Sequence, residues 1–271
     1  MGERLLRAYA SYYTHGEATG GGGGGSAAKR FIRSAYVRNR YAAASGIIDR
    51  LIGTALRAAS YDTSGIDEQF RFAPKAPAKV LDYGCGSGEY LLRLHPLGHD
   101  LAGAEYDPQL IGSMAGRGIA IADVATLEES HWQSEFDHIT LAHVLEHVPD
   151  PAALLRRLHG WLKPGGTLYL EVPNADATGL AMFGRYWRGL EAPRHFALPS
   201  QPALTRALEA AGFASWTQHI NTCARGWVWA ESLEATPVED RAALQAKMAA
   251  APPETRANAE FLTFVARKPD A

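Results

Sequence analysis

Residues 80–90 read VLDYGCGSGEY, in which an apolar run passes directly into three alternating glycines. Because glycine has no Cβ, such a turn tolerates positive φ and lets a ligand lie against the backbone. The dinucleotide spacing G-x-G-x-x-G fails here, since Glu89 stands at its third glycine position when counted from Gly84. The alternative spacing, acidic-x-G-x-G-x-G, is met by Asp82, Gly84, Gly86 and Gly88.

Short apolar runs and helical segments alternate around this loop. We predict strands at 79–82, 100–105, 118–122, 137–141, 167–172, 213–220 and 261–266. We predict helices at 87–95, 107–115, 150–162 and 200–211. This alternation is typical of an α/β fold with a doubly wound, seven-stranded, mostly parallel sheet of Rossmann-like type. Ligands of such sheets bind at the carboxyl ends of the strands, where the glycine loop lies.

The residues before this region differ in character. Residues 1–50 contain eight Lys and Arg against three Asp and Glu, and Gly20–Gly25 is a run of six glycines that predicts a flexible hinge. We predict a helix over 28–59 with a break at Gly46. The chain is therefore expected to have two domains. These are a helical cap or lid over 1–76 and a ligand-binding domain over 77–271, with cap insertions near 174–199 and 223–255.

The composition excludes several classes of protein. The two cysteines, Cys85 and Cys223, form no CxxC pair, so a disulfide scaffold is excluded. The formal net charge of −2 gives no reason to expect a nucleic-acid partner. We find no apolar run of the roughly 18 residues that span a membrane, and no apolar core of a signal peptide near the first residue. The sequence therefore predicts a cytoplasmic protein with reduced thiols.

The glycine loop resembles the first motif of class I S-adenosylmethionine-dependent methyltransferases. It lacks the Lys-Ser/Thr pair of a Walker loop, which fits a cofactor without phosphates. FDHITLAHVLEHVPDP (136–151) resembles the fourth-strand motif of the group that contains ubiquinone-biosynthesis O-methyltransferases. LKPGGTL (162–168) resembles the turn after the following helix in that group. The likeness extends over roughly residues 78–220 through EVPN (171–174), PRHF (193–196) and AGF (211–213).

This resemblance implies S-adenosyl-L-methionine as the cofactor of the domain over 77–271. Glu105 follows Gly84 by 21 residues and ends the second predicted strand, where a carboxylate can accept hydrogen bonds from both ribose hydroxyls. Asp123 ends the third strand, where its carboxylate can bind the adenine amino group and the Val124 N–H a ring nitrogen. Alternatively, these acids simply cap the helices that follow. The implied cofactor contacts are Asp82, Gly84, Cys85, Gly86, Gly88, Glu105, Tyr106, Asp123, Val124 and Ala142.

The segment HVLEH (143–147) also matches H-x-x-E-H, an inverted zinc-protease motif. That chemistry needs both histidines on one face of a continuous helix, whereas this segment follows a predicted strand and soon meets Pro149. Some relatives that carry E-x-x-E-H here bind a divalent metal. Because His143 replaces the first of those glutamates, we expect no metal.

Methyl transfer depends mainly on alignment of donor and acceptor, but a base helps when the acceptor is a hydroxyl. His143 follows the fourth predicted strand, and a neutral imidazole there would suit that role. His195 lies in the insertion expected to cover the acceptor. We therefore name His143 and His195 as catalytic candidates, with structural packing as the alternative for each.

Two aromatic and cationic stretches, FGRYWR (183–188) and WVW (227–229), could line an acceptor site, although ordinary packing is the alternative. We predict methyl transfer, with oxygen favoured, to a small-molecule or carrier-linked acceptor. The basic N-terminal residues could contact lipid headgroups or a phosphate-bearing acceptor. Two alternatives remain open at this point: a non-catalytic S-adenosylmethionine-binding protein and a nicotinamide-dependent oxidoreductase.

Overall fold

The computed structural model describes residues 26–114, 117–127 and 132–270. The glycine run Gly20–Gly25, predicted to be a hinge, lies outside these residues. The division into domains at residues 76 and 77 stays a prediction.

Seven strands form one mixed sheet in the order β3-β2-β1-β4-β5-β7-β6. The strands are β1 Lys79–Tyr83, β2 Asp100–Glu105, β3 Ala120–Asp123, β4 Phe136–Ala142, β5 Leu162–Pro173, β6 Ser215–His219 and β7 Phe261–Arg267. β1 pairs in parallel with β2 and β4, and β2 with β3, whereas β7 runs antiparallel to β5 and β6. The predicted seven-stranded, mostly parallel sheet with flanking helices is thus confirmed.

Helices precede β1 and connect most of the strands. They are α1 Ala27–Tyr41, α2 Ile47–Ala58, α3 Ser64–Gln69, α4 Glu89–Leu94, α5 Pro108–Met114, α6 Pro151–Trp161, α7 Thr178–Phe183, α8 Gln201–Ala210, α9 Ala224–Ala235 and α10 Val238–Ala249. The helix predicted over 28–59 is two helices, because the chain leaves helical geometry between Tyr41 and Ile47. Gly46 caps the second of them, and its N–H donates to the Asp49 carboxylate at 3.0 Å.

The described residues form two compact units. The N-terminal unit comprises residues 26–140 and 161–166 as far as they are described, and the C-terminal unit comprises 141–160 and 167–270. In the N-terminal unit, Val80 of β1 packs with α4 residues such as Leu91 and with Met114 of α5. In the C-terminal unit, Trp187, Trp229 and Phe261 belong to a second core. Each unit therefore has its own apolar core, and each carries one group of the functional residues predicted from the sequence.

Candidate active site

The glycine loop lies between β1 and α4 in the N-terminal unit. Gly84, Gly86 and Gly88 all have positive φ, of 74°, 52° and 73°. A side chain is strained in that conformation, so the backbone itself requires glycine at all three positions. A Cβ on Gly88 would also lie 2.2 Å from the Met114 side chain, whereas a Cβ on Gly86 would meet nothing within 4 Å. The loop is therefore packed at Gly88 and open at Gly86.

The Glu105 carboxylate lies directly against this loop. Its Oε2 accepts a hydrogen bond of 2.7 Å from the Gly86 N–H, and its Oε1 accepts from the N–H groups of Tyr106 and Asp107. A carboxylate has about four lone-pair positions and these three bonds occupy three of them, so Glu105 can still accept from about one further donor. The neighbouring Tyr106 ring is 57% exposed. The structure thus brings together three of the residues predicted from the resemblance: Gly86, Glu105 and Tyr106.

Asp82 is placed differently from the other predicted cofactor residues. Its side chain is buried, with Arg71 Nη1 at 2.5 Å and the Thr140 hydroxyl donating to it at 2.6 Å. The Arg71 guanidinium also stacks over the Tyr90 ring of α4 at 4.3 Å. Asp82 therefore anchors the base of the loop to β4 and α4.

Asp123 and Val124 are both engaged within the chain. Asp123 Oδ1 accepts from the Ala125 N–H at 2.8 Å, and the Val124 N–H donates to the Glu105 carbonyl at 2.9 Å. Asp123 therefore closes a turn directly after β3, and since no helix follows it among the described residues before β4, it caps no helix. Its contact with the cofactor stays a prediction. The Cys85 thiol is buried, and burial raises its pKa, so it remains protonated. Ala142, the last residue of β4, belongs to the C-terminal unit.

His143 lies between two carboxylates in the C-terminal unit. Its Nε2 is 3.3 Å from Glu171 Oε1, and its Nδ1 is 3.6 Å from Glu146 Oε1. Burial alone would lower the pKa of His143, but the two glutamate carboxylates close to the ring outweigh it and raise the pKa to about 10. The expectation of a neutral imidazole at His143 was therefore wrong, since the ring is an imidazolium at neutral pH. Its catalytic role stays a prediction.

Of the two glutamates beside His143, Glu171 is held by more hydrogen bonds. Its Oε2 accepts hydrogen bonds from Tyr169, Asn221 and Thr263, at 3.0, 3.1 and 2.7 Å. Burial opposes its ionisation, but the interactions with His143 and with these donors lower the pKa of Glu171 to about 2. The backbone fixes the pair as well, because the His143 N–H donates to the Glu171 carbonyl at 2.9 Å.

His195 and His147 form a second pair of rings in the same unit, with centroids 4.6 Å apart. Nδ1 of His195 lies 2.9 Å from the Gly189 carbonyl, and Nδ1 of His147 lies 3.2 Å from the Arg194 carbonyl. A carbonyl only accepts, so each Nδ1 carries the proton and each Nε2 keeps a lone pair. Burial lowers the pKa of His195 to about 4 and also lowers that of His147. Both rings are therefore neutral at pH 7.

Glu146 completes this group of side chains. It is buried, and neither of its carboxylate oxygens has a hydrogen-bond partner. Glu146, His147 and His195 each offer a ligand atom within 4.8 Å of the others, a composition that could hold a metal ion. The His143 imidazolium beside Glu146 opposes the approach of a dication.

Comparison with known proteins decides the family. A family model described as a methyltransferase domain matches residues 57–218, which is more than half of the chain. The chain belongs to this methyltransferase family. Among curated relatives, the methyltransferase is 33% identical over 112 residues to a ubiquinone biosynthesis O-methyltransferase of Xanthomonas campestris pv. campestris. That match covers 39% of this chain and 47% of the relative, so the chain spans about half the length of the curated relatives it matches.

Solved structures agree with the fold of the methyltransferase. The YcgJ protein of Bacillus subtilis aligns with a TM-score of 0.52 and 16% identity, over 78% of this chain and all of that one. A phosphoethanolamine N-methyltransferase 2 of Haemonchus contortus, solved with S-adenosyl-L-methionine, aligns with a TM-score of 0.55 and 17% identity. The alignment covers 76% of this chain and 52% of that one. At such identity, these likenesses show the fold alone.

The family and the fold predicted from the sequence, those of a class I S-adenosylmethionine-dependent methyltransferase, are thus confirmed. The match decides against the nicotinamide-dependent oxidoreductase. The two aromatic stretches that could line an acceptor site, 183–188 and 227–229, belong largely to the core of the methyltransferase. The indoles of Trp187 and Trp229 both donate to the buried Glu260 carboxylate. Trp227, by contrast, is exposed.

Several residues that shape these sites were not predicted from the sequence. Arg71 and Thr140 fix Asp82, Glu171 fixes His143, and Asn221 in turn fixes Glu171. Thr140 carries a signal in the sheet, because it lies opposite Asp82 in the register of β1 and β4. No comparable local signal marks Arg71 or Asn221, since their partners are distant in the chain.

Proposed function

We propose that the chain transfers the methyl group of S-adenosylmethionine to an oxygen atom of a small-molecule acceptor. The observation that carries the proposal is the loop of three positive-φ glycines, open at Gly86 and bonded there to the Glu105 carboxylate. This arrangement fits a binding site for a nucleoside. The glycines let the ligand lie close to the backbone, and the carboxylate can accept a hydrogen bond from the ribose.

The N-terminal unit supplies the residues for the cofactor. The backbone of Gly84 to Gly88 would lie against it, Glu105 would accept a hydrogen bond from one of its ribose hydroxyls, and the exposed Tyr106 ring would cover its adenine. Asp82 acts at a distance, by holding the loop through Arg71. When bound, the cofactor supplies an electrophilic methyl group on a sulfonium.

The C-terminal unit supplies groups for a hydroxyl acceptor. A neutral histidine with a lone pair on Nε2 can take the proton of the hydroxyl, and we assign that role to His195. Its side chain is buried and its Nε2 lies 3.9 Å from both Glu146 Oε1 and Glu191 Oε2, so the acceptor would have to approach beside these carboxylates. The His143 imidazolium can stabilise negative charge that develops on the acceptor oxygen. Glu171 holds that imidazolium in place through a short contact and a backbone hydrogen bond. Oxygen as the accepting atom also agrees with the names of the curated relatives.

We extend the proposal to carrier-linked acceptors and to the cytoplasm. Both cysteines are free thiols, which agrees with a reducing compartment. Among the described residues, the helices are too short or too polar for any to cross a bilayer.

Binding and turnover test the proposal separately. Calorimetry should show binding of S-adenosylhomocysteine and none of NAD. Transfer of labelled methyl groups should then be measured with a panel of phenols and catechols, free and carrier-linked, and with amines of matched size. Turnover of the hydroxyl compounds supports the proposal. Tight binding of S-adenosylhomocysteine without transfer to any hydroxyl acceptor would favour the non-catalytic alternative.

A further inference from the structure

Helices α1 and α2 of the N-terminal unit expose a cluster of large apolar side chains. We call it the helix-pair face and define it by Phe31, Ile32, Ile47, Ile48 and Leu51. Ile47 is 68% exposed and Leu51 is 64% exposed. Single exposed apolar residues are ordinary, but five within 21 residues of sequence form a feature that requires an explanation.

Three of the large aliphatic side chains of α2 lie on its exposed side. The buried residues of this helix are Asp49 and Gly53, and Leu56 packs against the core of the unit. Ile47, Ile48 and Leu51 lie on the other side of the helix and are exposed. A helix that packs only for stability would bury its aliphatic stripe against the body of the protein. The aliphatic stripe of α2 is therefore available to a partner.

Specific contacts hold α2 in this orientation. The Asp49 carboxylate accepts hydrogen bonds from Arg38 Nε at 3.1 Å and from Arg38 Nη2 at 2.7 Å. At Gly53 the two helices approach so closely that a Cβ would lie 2.0 Å from Asn39 Nδ2. Rotation of α2 to bury its isoleucines would break the ion pair and force this close approach apart. The outward position of the stripe is thus built into the packing of the two helices.

The charges carried by α1 and α2 themselves are strongly one-sided. Residues 26–60 contain a single acidic residue, Asp49, and that carboxylate is the partner of Arg38. Acidic residues resume in the next segment, where the Asp67 carboxylate accepts from the hydroxyls of Tyr36 and Tyr41 of α1. Arg50 and Arg57 lie on α2 itself, and both are exposed. The cations of this segment are Lys29, Arg30, Arg33, Arg38, Arg40, Arg50 and Arg57.

We propose that the helix-pair face docks on an anionic phospholipid bilayer. Each Lys or Arg near an anionic membrane surface is attracted to the headgroups, and exposed aliphatic side chains add to this by entering the interface. A second copy of the chain is a poorer partner, because a symmetric contact would bring two groups of cations together. The contact would be peripheral, and the proposal does not depend on methyl transfer.

Vesicle sedimentation with the full chain tests the proposal. Vesicles of phosphatidylcholine with about one third phosphatidylglycerol should bind the protein, and vesicles of phosphatidylcholine alone should bind it far more weakly. Binding should weaken as salt is raised, because the attraction to the headgroups is screened. Equal binding to both kinds of vesicle would overturn the anionic specificity.

Variants then assign the binding to this face. The triple variant I47S/I48S/L51S should bind vesicles at least about tenfold more weakly than the wild type. R50Q/R57Q should show a loss of that size on anionic vesicles only. V238S is the matched control, because Val238 is also exposed on a helix, α10, but lies outside the face. Unchanged binding of both variants overturns the proposal. So does a dimer, detected by sedimentation velocity, that the triple variant abolishes while vesicles bind neither protein.

Discussion

The glycine loop of the N-terminal unit and a cluster of buried side chains in the C-terminal unit are fixed by different kinds of interaction. We call the second group the histidine cluster and define it by His143, Glu146, Glu171 and His195. In the loop, the backbone conformation at Gly84, Gly86 and Gly88 forms the site, and Glu105 adds one side chain. In the cluster, buried side chains hold one another, as His143 does with Glu171. A site made from backbone is readable in consecutive residues, whereas a site made from buried side chains depends on contacts across the chain.

The two regions also differ in how their charges are balanced. Glu105 receives only backbone N–H groups and is open to a ligand. The cluster contains the imidazolium of His143, the carboxylates of Glu146 and Glu171, and the neutral ring of His195. The loop is thus suited to binding, and the cluster to moving or stabilising a proton. Variants in the two regions should therefore separate cofactor affinity from turnover.

The largest effect is expected for His195→Asn. Asn can keep a hydrogen bond to the Gly189 carbonyl but offers no basic nitrogen, so kcat should fall by about 10²–10⁴-fold with little change in cofactor affinity. Steady-state kinetics on a hydroxyl acceptor and calorimetry with S-adenosylhomocysteine measure the two effects. His95→Asn, at an exposed position, is the control. A kcat within about threefold of the wild type would remove His195 as the base.

Gly86→Val should act on binding instead. The valine would have to adopt φ near 52°, and its side chain would occupy the open side of the loop, so the Kd for S-adenosylhomocysteine should rise by at least about 100-fold. Circular dichroism should show a folded protein, because the strain is confined to one loop residue whose new Cβ meets nothing within 4 Å. Gly112→Ala is the control, since Gly112 lies in α5 with equally open surroundings. Unaltered affinity would show that the cofactor does not contact Gly86.

Glu105→Gln should have a smaller effect in the same direction. The amide retains an acceptor for the Gly86 N–H but loses the charge, and a hydrogen bond to a charged group contributes about 1.5–3 kcal/mol. The Kd should therefore rise by roughly 10- to 150-fold. Glu89→Gln, in the adjacent helix, is the matched control, because that carboxylate pairs with Arg93 on the surface. If both variants bind alike, Glu105 does not contact the ribose.

The sequence predicted the loop well because its constraints are local. Three glycines at alternate positions permit positive φ, and the structure has it at each of them. The roles of Asp82 and Val124 were less predictable, since Arg71 and the Glu105 carbonyl reach them from other elements. Those contacts depend on strand register, which no single stretch of residues encodes.

The protonation of His143 shows why the cluster could not be predicted. Its partner Glu171 is 28 residues away in sequence, and Asn221 and Thr263, which fix Glu171, are farther still. The orientation of α2 was hidden for a related reason. Periodicity finds an apolar stripe in 47–58, but only the packing of Asp49 and Gly53 against α1 shows that this stripe faces outward.

The His143 ion pair should be visible as a pH-dependent stability. The folded-state pKa of about 10 lies above the ordinary value of 6.5, so the pair stabilises the fold fully below pH 6.5 and loses that effect as pH rises through 10. His143→Gln should be less stable than the wild type by about 1–3 kcal/mol at low pH, because a third of the ring is solvent-exposed. Denaturation in urea at about pH 6, 8 and 10 should show this difference shrinking. A difference that grows with pH would mean that His143 is neutral in the fold.

The smallest effect is expected on removal of metal ions. Glu146, His147 and His195 have the composition of a metal site, but the His143 imidazolium lies 3.6 Å from Glu146 and already compensates its charge. A dication at Glu146 would lie beside this imidazolium and be repelled by it, because a pKa of about 10 keeps His143 protonated. Treatment with EDTA should therefore leave kcat within about twofold of its original value. Loss of activity that Mg²⁺ or Zn²⁺ restores would instead make His195 a metal ligand, and its lone pair could then no longer serve as the base.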